Sequence, residues 1–132
     1  MLLGLVVFAR DLLAVSHFYQ SVFALHKVRY GQDHMVLQNS YMELAVYLQK
    51  PLSSDLDEFA SDRSRSGVAL KPVFILSGPM AAINSQVLAN GGCMYLHNVW
   101  DCAPYRVCDG EDCEGNVFQV RTLAIAPCSD IK

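Results

Sequence analysis

The sequence predicts an α+β fold made of two βαβββ modules that form curved mixed sheets around a cleft. One observation is that a strand, an amphipathic helix and three short strands follow one another twice along the chain. The other is length, because 132 residues suffice for one domain with a real core but not for two ordinary domains. A sheet with one helix cannot bury both of its faces, so we expect the modules to fold as a single domain.

The first module covers about residues 1–50. It opens with the apolar run LLGLVVFA, which indicates a buried strand, and Asp11 is a plausible N-cap for the next element. In DLLAVSHFYQSVFAL the apolar residues recur every three or four positions, which predicts an amphipathic helix. The runs HKVRYG, HMVLQ and YMELAVYLQ, broken by Gly31 and by the Asn39-Ser40 turn signal, predict three strands.

Alternate side chains of a strand point to opposite sides of a sheet. In the last of these strands, the two sides differ in polarity. The fully apolar face consists of Met42, Leu44, Val46 and Leu48, and the other face consists of Tyr41, Glu43, Ala45 and Tyr47. We expect the first face to cover the core and the second to meet something more polar.

Residues 51–66 are rich in Ser and Asp and predict a polar linker, and the second module covers about residues 67–126. GVALKPVFIL predicts its first strand. Pro79 is expected at the first position of its helix, which the Gly91-Gly92 pair ends. The runs CMYLHNV, YRVCD and NVFQVRTLA complete the module as three strands, with Trp100 on the loop before the last hairpin.

Composition narrows the range of functions. The net charge is -3 and the ten basic residues form no block, so a nucleic-acid partner is not expected. The N-terminal apolar run is too short to span a bilayer and lacks a basic flank, so we expect a cytoplasmic protein without a membrane partner. The five cysteines include no C-x-x-C pair, which argues against a disulfide framework or a zinc site.

Two segments resemble the vicinal oxygen chelate superfamily, which contains glyoxalase I, extradiol dioxygenases, fosfomycin-modifying enzymes and bleomycin-resistance proteins. RDLLAVSHFYQSVFAL is similar to the family segment D-L-x-x-S-x-x-F-Y-x-x-x-L-G. RVCDGEDCEGNVFQV is similar to its ending R-x5-D-P-x-G-N-x-x-E-L, and the match runs through nearly the whole chain. The resemblance implies homodimers with clefts between modules.

The resemblance also implies four inward positions that hold a divalent metal in many members. Carried across by position, they fall on Gly4, Glu43, Lys71 and Gln119, of which only Glu43 is an ordinary ligand for a hard cation. We therefore expect no metal and no cofactor. We further expect the Lys71 ammonium to take the space of the metal and to pair with Glu43.

The resemblance and the alternation together predict a pocket for a small, partly aromatic or cationic molecule. Its expected ligand-binding residues are Phe8, Tyr41, Glu43, Tyr47, Lys71, Val73, Trp100, Gln119 and Arg121. The metal-free, ligand-sequestering type, such as bleomycin-resistance proteins, is the favoured function. Two alternatives remain: a metal-dependent lyase, isomerase or dioxygenase of the same superfamily, and a regulatory or protein-interaction module. The strands could also simply fill a core, with Glu43 and Lys71 paired and inert.

Overall fold

The structure, a computed structural model, describes residues 3–49 and 70–124, so the predicted linker lies outside the described residues. The first module consists of β1 (Leu3–Ala9), α1 (Leu12–Phe23), β2 (His26–Tyr30), β3 (His34–Gln38) and β4 (Met42–Leu48). The second consists of β5 (Val73–Leu76), α2 (Met80–Ala89), β6 (Cys93–Met94), β7 (Trp100–Cys102), β8 (Tyr105–Glu111) and β9 (Val117–Leu123). The predicted α+β fold of two βαβββ-like modules is confirmed, with β7 as an additional short strand.

Each module forms a mixed sheet in which the first and last strands are parallel neighbours. The strand order is β1-β4-β3-β2 in the first sheet and β5-β9-β8-β6 in the second, where β7 also pairs with β8. The registers place Gly4 beside Glu43 in the first sheet and Val73 beside Gln119 in the second. Strands distant in sequence thereby bring the expected site positions together.

Three local expectations in the second module need correction. The run CMYLHNV forms a strand only at Cys93–Met94, because the chain then turns into a 3-10 helix at Leu96–Asn98. Trp100 lies in strand β7 rather than in a loop, since it pairs with Val107. Pro79 is the N-cap of α2 with extended backbone, so Met80 is the first helical residue.

The core joins the two modules. Helix α1 buries an aromatic face that reaches strands of the second sheet as well as its own. The Phe23 ring stacks on Phe74 with centroids 3.8 Å apart, and Phe18 lies 5.9 Å from Phe118. Aromatic pairs at these separations add about 0.5 to 1.5 kcal/mol beyond the apolar area that they bury.

The start of α1 is held from both modules. The Asp11 side chain accepts a hydrogen bond from the backbone N–H of Ala14 at 3.0 Å, which confirms the predicted N-cap. The Glu114 carboxylate accepts from the backbone N–H groups of Arg10 at 2.8 Å and of Asp11 at 2.6 Å. A turn of the second module therefore caps the helix of the first.

The same turn, residues 112–116, is built around a buried carboxylate. Asp112 accepts hydrogen bonds from the backbone N–H groups of Glu114 at 2.8 Å and Asn116 at 3.0 Å, and from the Asn116 side chain at 2.9 Å. Its fourth donor is the Tyr19 hydroxyl on α1, at 2.8 Å. Burial, followed by the neighbouring Asp112 charge, raises the pKa of Tyr19 well above its ordinary value, so the phenol stays protonated and donates.

The sheet faces turned away from the helices, called the outer faces below, remain open. Alternation along β1 and β5 places apolar side chains there, including Val6, Phe8 and Ile75, which are 55%, 62% and 59% exposed. Their neighbours Leu5, Val7 and Phe74 point to the core instead. Among the described residues, neither helix approaches the length needed to cross a bilayer.

Candidate functional site

A chain of polar side chains crosses the outer face of the second sheet. Lys71 Nζ donates to Asp109 Oδ2 at 2.6 Å, and Gln119 Nε2 donates to the other oxygen of that carboxylate, Oδ1, at 3.1 Å. Arg121 Nε in turn donates to Gln119 Oε1 at 2.8 Å. Asp109 is thus fixed by two donors and Gln119 by one donor and one acceptor.

Strand register explains why these side chains meet. Asp109 on β8 lies directly opposite Gln119 on β9, and Val107 lies opposite Arg121. Alternate residues of a strand share a face, so Gln119 and Arg121 project on the side away from the core residue Val120. Gln119 is only 6% exposed, so its amide depends on these partners for its hydrogen bonds.

An open pocket of about 460 Å³ adjoins this polar chain at Asp109. Its other walls come from the 3-10 helix, from the residue on either side of that helix and from β7: Tyr95, His97, Asn98, Val99 and Trp100. Three ring-bearing side chains and one carboxylate therefore border a space of the size that small ligands occupy.

Behind the pocket, Glu111 holds Tyr95 in place. The Tyr95 hydroxyl donates to Glu111 Oε1 at 2.5 Å, and the Cys93 thiol donates to Glu111 Oε2 at 3.8 Å. Burial raises the pKa of Tyr95, and the bonded and charged Glu111 raises it further. Because its proton is committed to Glu111, the Tyr95 oxygen can offer a ligand only an acceptor. Within the part of the chain that the structure describes, no Lys or Arg forms an ion pair with Glu111.

The structure brings some of the sequence-predicted site residues together and separates others. Lys71, Val73, Gln119 and Arg121 lie together on or beside the second sheet, and Trp100 lies at the adjoining pocket. Phe8 reaches a different space, a cleft of about 680 Å³ between β1 and the start of the second module, which Lys71 also lines. This placement leaves the ligand-binding role of each residue a prediction.

The predicted residues of the first sheet have other neighbours. Tyr41 is 81% exposed. The Tyr47 ring stacks on His34 with centroids 5.8 Å apart, and a Glu43 carboxylate oxygen lies 3.7 Å from an Arg29 guanidinium nitrogen.

The expected pairing of Lys71 with Glu43 is wrong. Lys71 forms an ion pair with Asp109 of the second sheet, whereas Glu43 lies near Arg29 within the first sheet. The strand register gives the reason. In the first sheet Gly4 lies beside Glu43, and the equivalent neighbour of Gln119 in the second sheet is Val73. Lys71 precedes this position by two residues. From there the long Lys71 side chain reaches β8 instead of the first sheet.

The residues at the metal positions of the resemblance do not fit a metal ion. The Gln119 carbonyl oxygen already accepts from Arg121, and Val73 and Gly4 offer no side-chain donor atom. Lys71 and Arg121 add positive charge at this place, which disfavours a cation. No group of three potential His, Cys, Asp or Glu ligands converges anywhere in residues 3–49 and 70–124.

Sequence reasoning missed Asp109, Tyr95 and Glu111. The alternation in YRVCDGE places Asp109 and Glu111 on one face, but their partners depend on the β8–β9 register and on the 3-10 helix. Only the alternation was a signal that could have found them.

Two βαβββ-like modules, each with its first and last strands paired in parallel, define a class of two-module α+β folds. Within it, this chain has the fold shared by glyoxalases, bleomycin-resistance proteins and dioxygenases. A glyoxalase/bleomycin resistance protein/dioxygenase family enzyme from Burkholderia phytofirmans PsJN superimposes with a TM-score of 0.72 at 18% identity, over 92% of this chain and 97% of that one. No protein-family model matches the sequence, and no curated protein matches it.

Two further similar structures are enzymes or resistance proteins by name. Lactoylglutathione lyase from Agrobacterium tumefaciens has a TM-score of 0.59 at 16% identity, with 92% of each chain covered. A genomically encoded fosfomycin resistance protein from Listeria monocytogenes has a TM-score of 0.63 at 12% identity, over 95% of this chain and 93% of that one. At these identities the likeness concerns the fold.

The corrected pairing gives a first prediction. Lys71→Met is expected to lower the free energy of unfolding by about 1 to 3 kcal/mol, between the values for exposed and buried ion pairs. The side chains of Lys71 and Asp109 are 34% and 20% exposed, which places the pair between those limits. Urea denaturation of a double-mutant cycle with Asp109→Asn should show a coupling energy. The matched cycle with Glu43→Gln should be additive, and coupling there would restore the pairing that the structure rejects.

Proposed function

We propose that this protein is a metal-free small-molecule-binding member of the vicinal oxygen chelate superfamily, of the bleomycin-resistance type. The observation that carries the proposal is the hydrogen bonding of Gln119. Its amide oxygen accepts from Arg121 and its amide nitrogen donates to Asp109, so a position that holds metal in many members is satisfied by the protein itself. The open pocket beside this chain then remains available for direct binding of an organic ligand.

The pocket favours an aromatic compound that carries a cationic group. Trp100 is 41% exposed and offers an indole face to a stacked ring or to a cation. The polar atoms supplied by Asp109 and by the oxygen of Tyr95 are acceptors. Glu111 adds a carboxylate behind Tyr95. The Lys71 ammonium neutralises Asp109 in part, so a ligand cation would share that carboxylate rather than replace its partner.

The chain contains a single tryptophan, so its fluorescence reports on this pocket directly. We expect metal-free bleomycin, which combines aromatic rings with cationic groups, to change the emission of Trp100 saturably. The change should be equal after dialysis against EDTA. Asp109→Asn should weaken binding about tenfold, the order expected for a lost charged hydrogen bond. Asp101→Asn, an exposed carboxylate on β7, is the matched control and should bind like the parent.

The same titration decides between the function classes. S-lactoylglutathione and fosfomycin serve as probes for the lyase and fosfomycin-modifying alternatives. Turnover of either probe that depends on an added divalent ion would contradict the proposal and favour an enzyme. Calorimetry with Trp100→Phe separates lost binding from lost signal. Absence of binding by bleomycin and by a panel of cationic aromatic compounds would leave the protein-interaction alternative.

We also propose that the protein is a homodimer, because a second copy could cover the exposed apolar side chains that β1 and β5 place on the outer faces. Light scattering at micromolar concentration should give about twice the chain mass of 14.6 kDa. Ile75→Glu on the outer face should shift the protein to monomer. Leu88→Glu on α2 is the matched control and should leave the dimer intact. Ile75 and Leu88 are almost equally exposed, at 59% and 57%, so the two substitutions differ in place rather than in exposure. A monomeric parent protein would contradict the proposal.

A further inference from the structure

A second pocket, of about 220 Å³, lies where α2 begins. Pro79 and Met80 form one side of it, and Arg106 and Thr122 form the other. Arg106 and Thr122 are register partners on β8 and β9, and they alternate with the outer-face residues Val107 and Arg121. The pocket is therefore on the helix side of the second sheet, away from the Trp100 pocket.

The start of α2 supplies unpaired backbone donors to this space. A helix leaves its first N–H groups without intrahelical partners, and the aligned peptide dipoles make that end positive. In α2 no side chain caps these groups, because the N-cap is Pro79, and the first turn contains no acidic residue. An anion would provide both the acceptor and the negative charge that this end of the helix lacks.

A buried hydroxyl in the pocket gives an independent indication of a ligand. Thr122 is only 4% exposed, and no described residue is hydrogen-bonded to its hydroxyl. This hydroxyl is not fully enclosed, since Ser16 Oγ is the one enclosed side-chain polar atom of the described residues that lacks a partner, so it is open to the pocket that Thr122 lines. A hydroxyl in so small an opening bonds either to water or to a ligand oxygen, because a polar group left without a partner costs free energy. Since Thr122 lines the pocket, an oxygen atom bound there could accept the hydrogen bond that the protein does not provide.

Arg106 places positive charge at the same pocket. Its Nε donates to Asp101 at 3.3 Å in an ion pair whose side chains are 56% and 68% exposed. A guanidinium carries five N–H donors, so this exposed contact leaves others for an oxyanion, and planar paired donors suit phosphate well.

From these three features we infer that the pocket binds a phosphate group. The volume is below the roughly 300 to 1,000 Å³ typical of pockets for drug-sized ligands, and it suits a small oxyanion. An adjoining space of about 280 Å³ shares Gly78 and Leu123 and is also lined by Ile75 and Leu76. Its apolar walls would accept an organic group attached to the phosphate.

Calorimetric titration of the whole chain with inorganic phosphate, at constant ionic strength set with chloride, tests the inference. We expect saturable binding by the parent protein. Arg106→Gln and Thr122→Val should each weaken it about tenfold or more, as expected for loss of a hydrogen bond to a charged group. The control Arg29→Gln removes the same charge far from α2 and should bind like the parent.

Thermal unfolding provides the second readout. Without phosphate, Thr122→Val should melt close to the parent temperature, because valine has about the same size and the hydroxyl that it removes bonds to no described residue. With phosphate, the parent should gain more than either pocket variant. An equal gain in every protein would be a general salt effect and would overturn the inference, as would undiminished phosphate binding by both pocket variants. Tighter binding of phenyl phosphate would indicate a phosphorylated apolar compound, and equal binding would indicate the free ion.

Discussion

Asp112→Ala is expected to lower the free energy of unfolding by about 3 to 5 kcal/mol. The carboxylate is 3% exposed and accepts four hydrogen bonds, one of them from Tyr19 on the first module. Removing it leaves a buried phenol and two backbone N–H groups without partners. Urea denaturation measures the loss, and an unchanged m-value confirms that unfolding remains two-state.

Tyr19→Phe is the matched control for this substitution. It removes one of the four hydrogen bonds, keeps the ring in the core, and leaves the other three donors on Asp112. We expect a loss of about 1 to 2 kcal/mol, well below that of Asp112→Ala. If Asp112→Ala cost no more than Tyr19→Phe, the turn would contribute little to holding the modules together.

Gly92→Ala is expected to lower the free energy of unfolding by about 3 kcal/mol or more, above the usual cost of overpacking. A methyl group at Gly92 would overlap the backbone carbonyl oxygen of Glu111 and lie 2.7 Å from Phe18 Cε2. The carbonyl belongs to strand β8 and Phe18 lies in the core, so neither can move away freely. Thermal or urea unfolding of the purified variant, or failure to recover folded protein, checks this expectation.

Gly4→Ala makes the same chemical change in open space. The nearest atom to a methyl group there is the Glu43 carbonyl oxygen at 3.9 Å, an ordinary contact distance. This variant should unfold within about 0.5 kcal/mol of the parent, as exposed substitutions usually do. Similar losses at both glycines would show that the close approach at Gly92 is not what sets the cost.

The fold could be predicted from sequence because its signals are local and occur twice. The spacing of apolar residues in α1, the Asp11 cap and the Asn39 turn all hold, and Asn39 Oδ1 accepts from the N–H groups of Tyr41 and Met42. The short strands β6 and β7 were misjudged. The run CMYLHNV has apolar residues enough for one strand, but Tyr95 bonds to the Asp109 backbone and the chain then leaves the sheet.

The candidate site was harder to predict because it depends on register. Gln119 and Arg121 were correctly placed on one face by alternation, but which residue stands opposite each depends on the length of the β8–β9 connection. A shift of two residues separates Lys71 from Val73, and that shift decided which carboxylate the lysine reaches. The spacing of motifs does not show which carboxylate a side chain as long and flexible as that of lysine will reach.

The capping of α1 by Glu114 also bears on how the protein is made. The helix begins at Leu12, but the carboxylate that pairs with the N–H of Arg10 lies 104 residues later in the chain. During synthesis the N-terminal helix therefore has only its local Asp11 cap, and it lacks the two hydrogen bonds to Glu114 until most of the polypeptide has left the ribosome. Contacts of such wide sequence separation slow folding, so the nascent first module is the stage at which this protein most needs protection from aggregation.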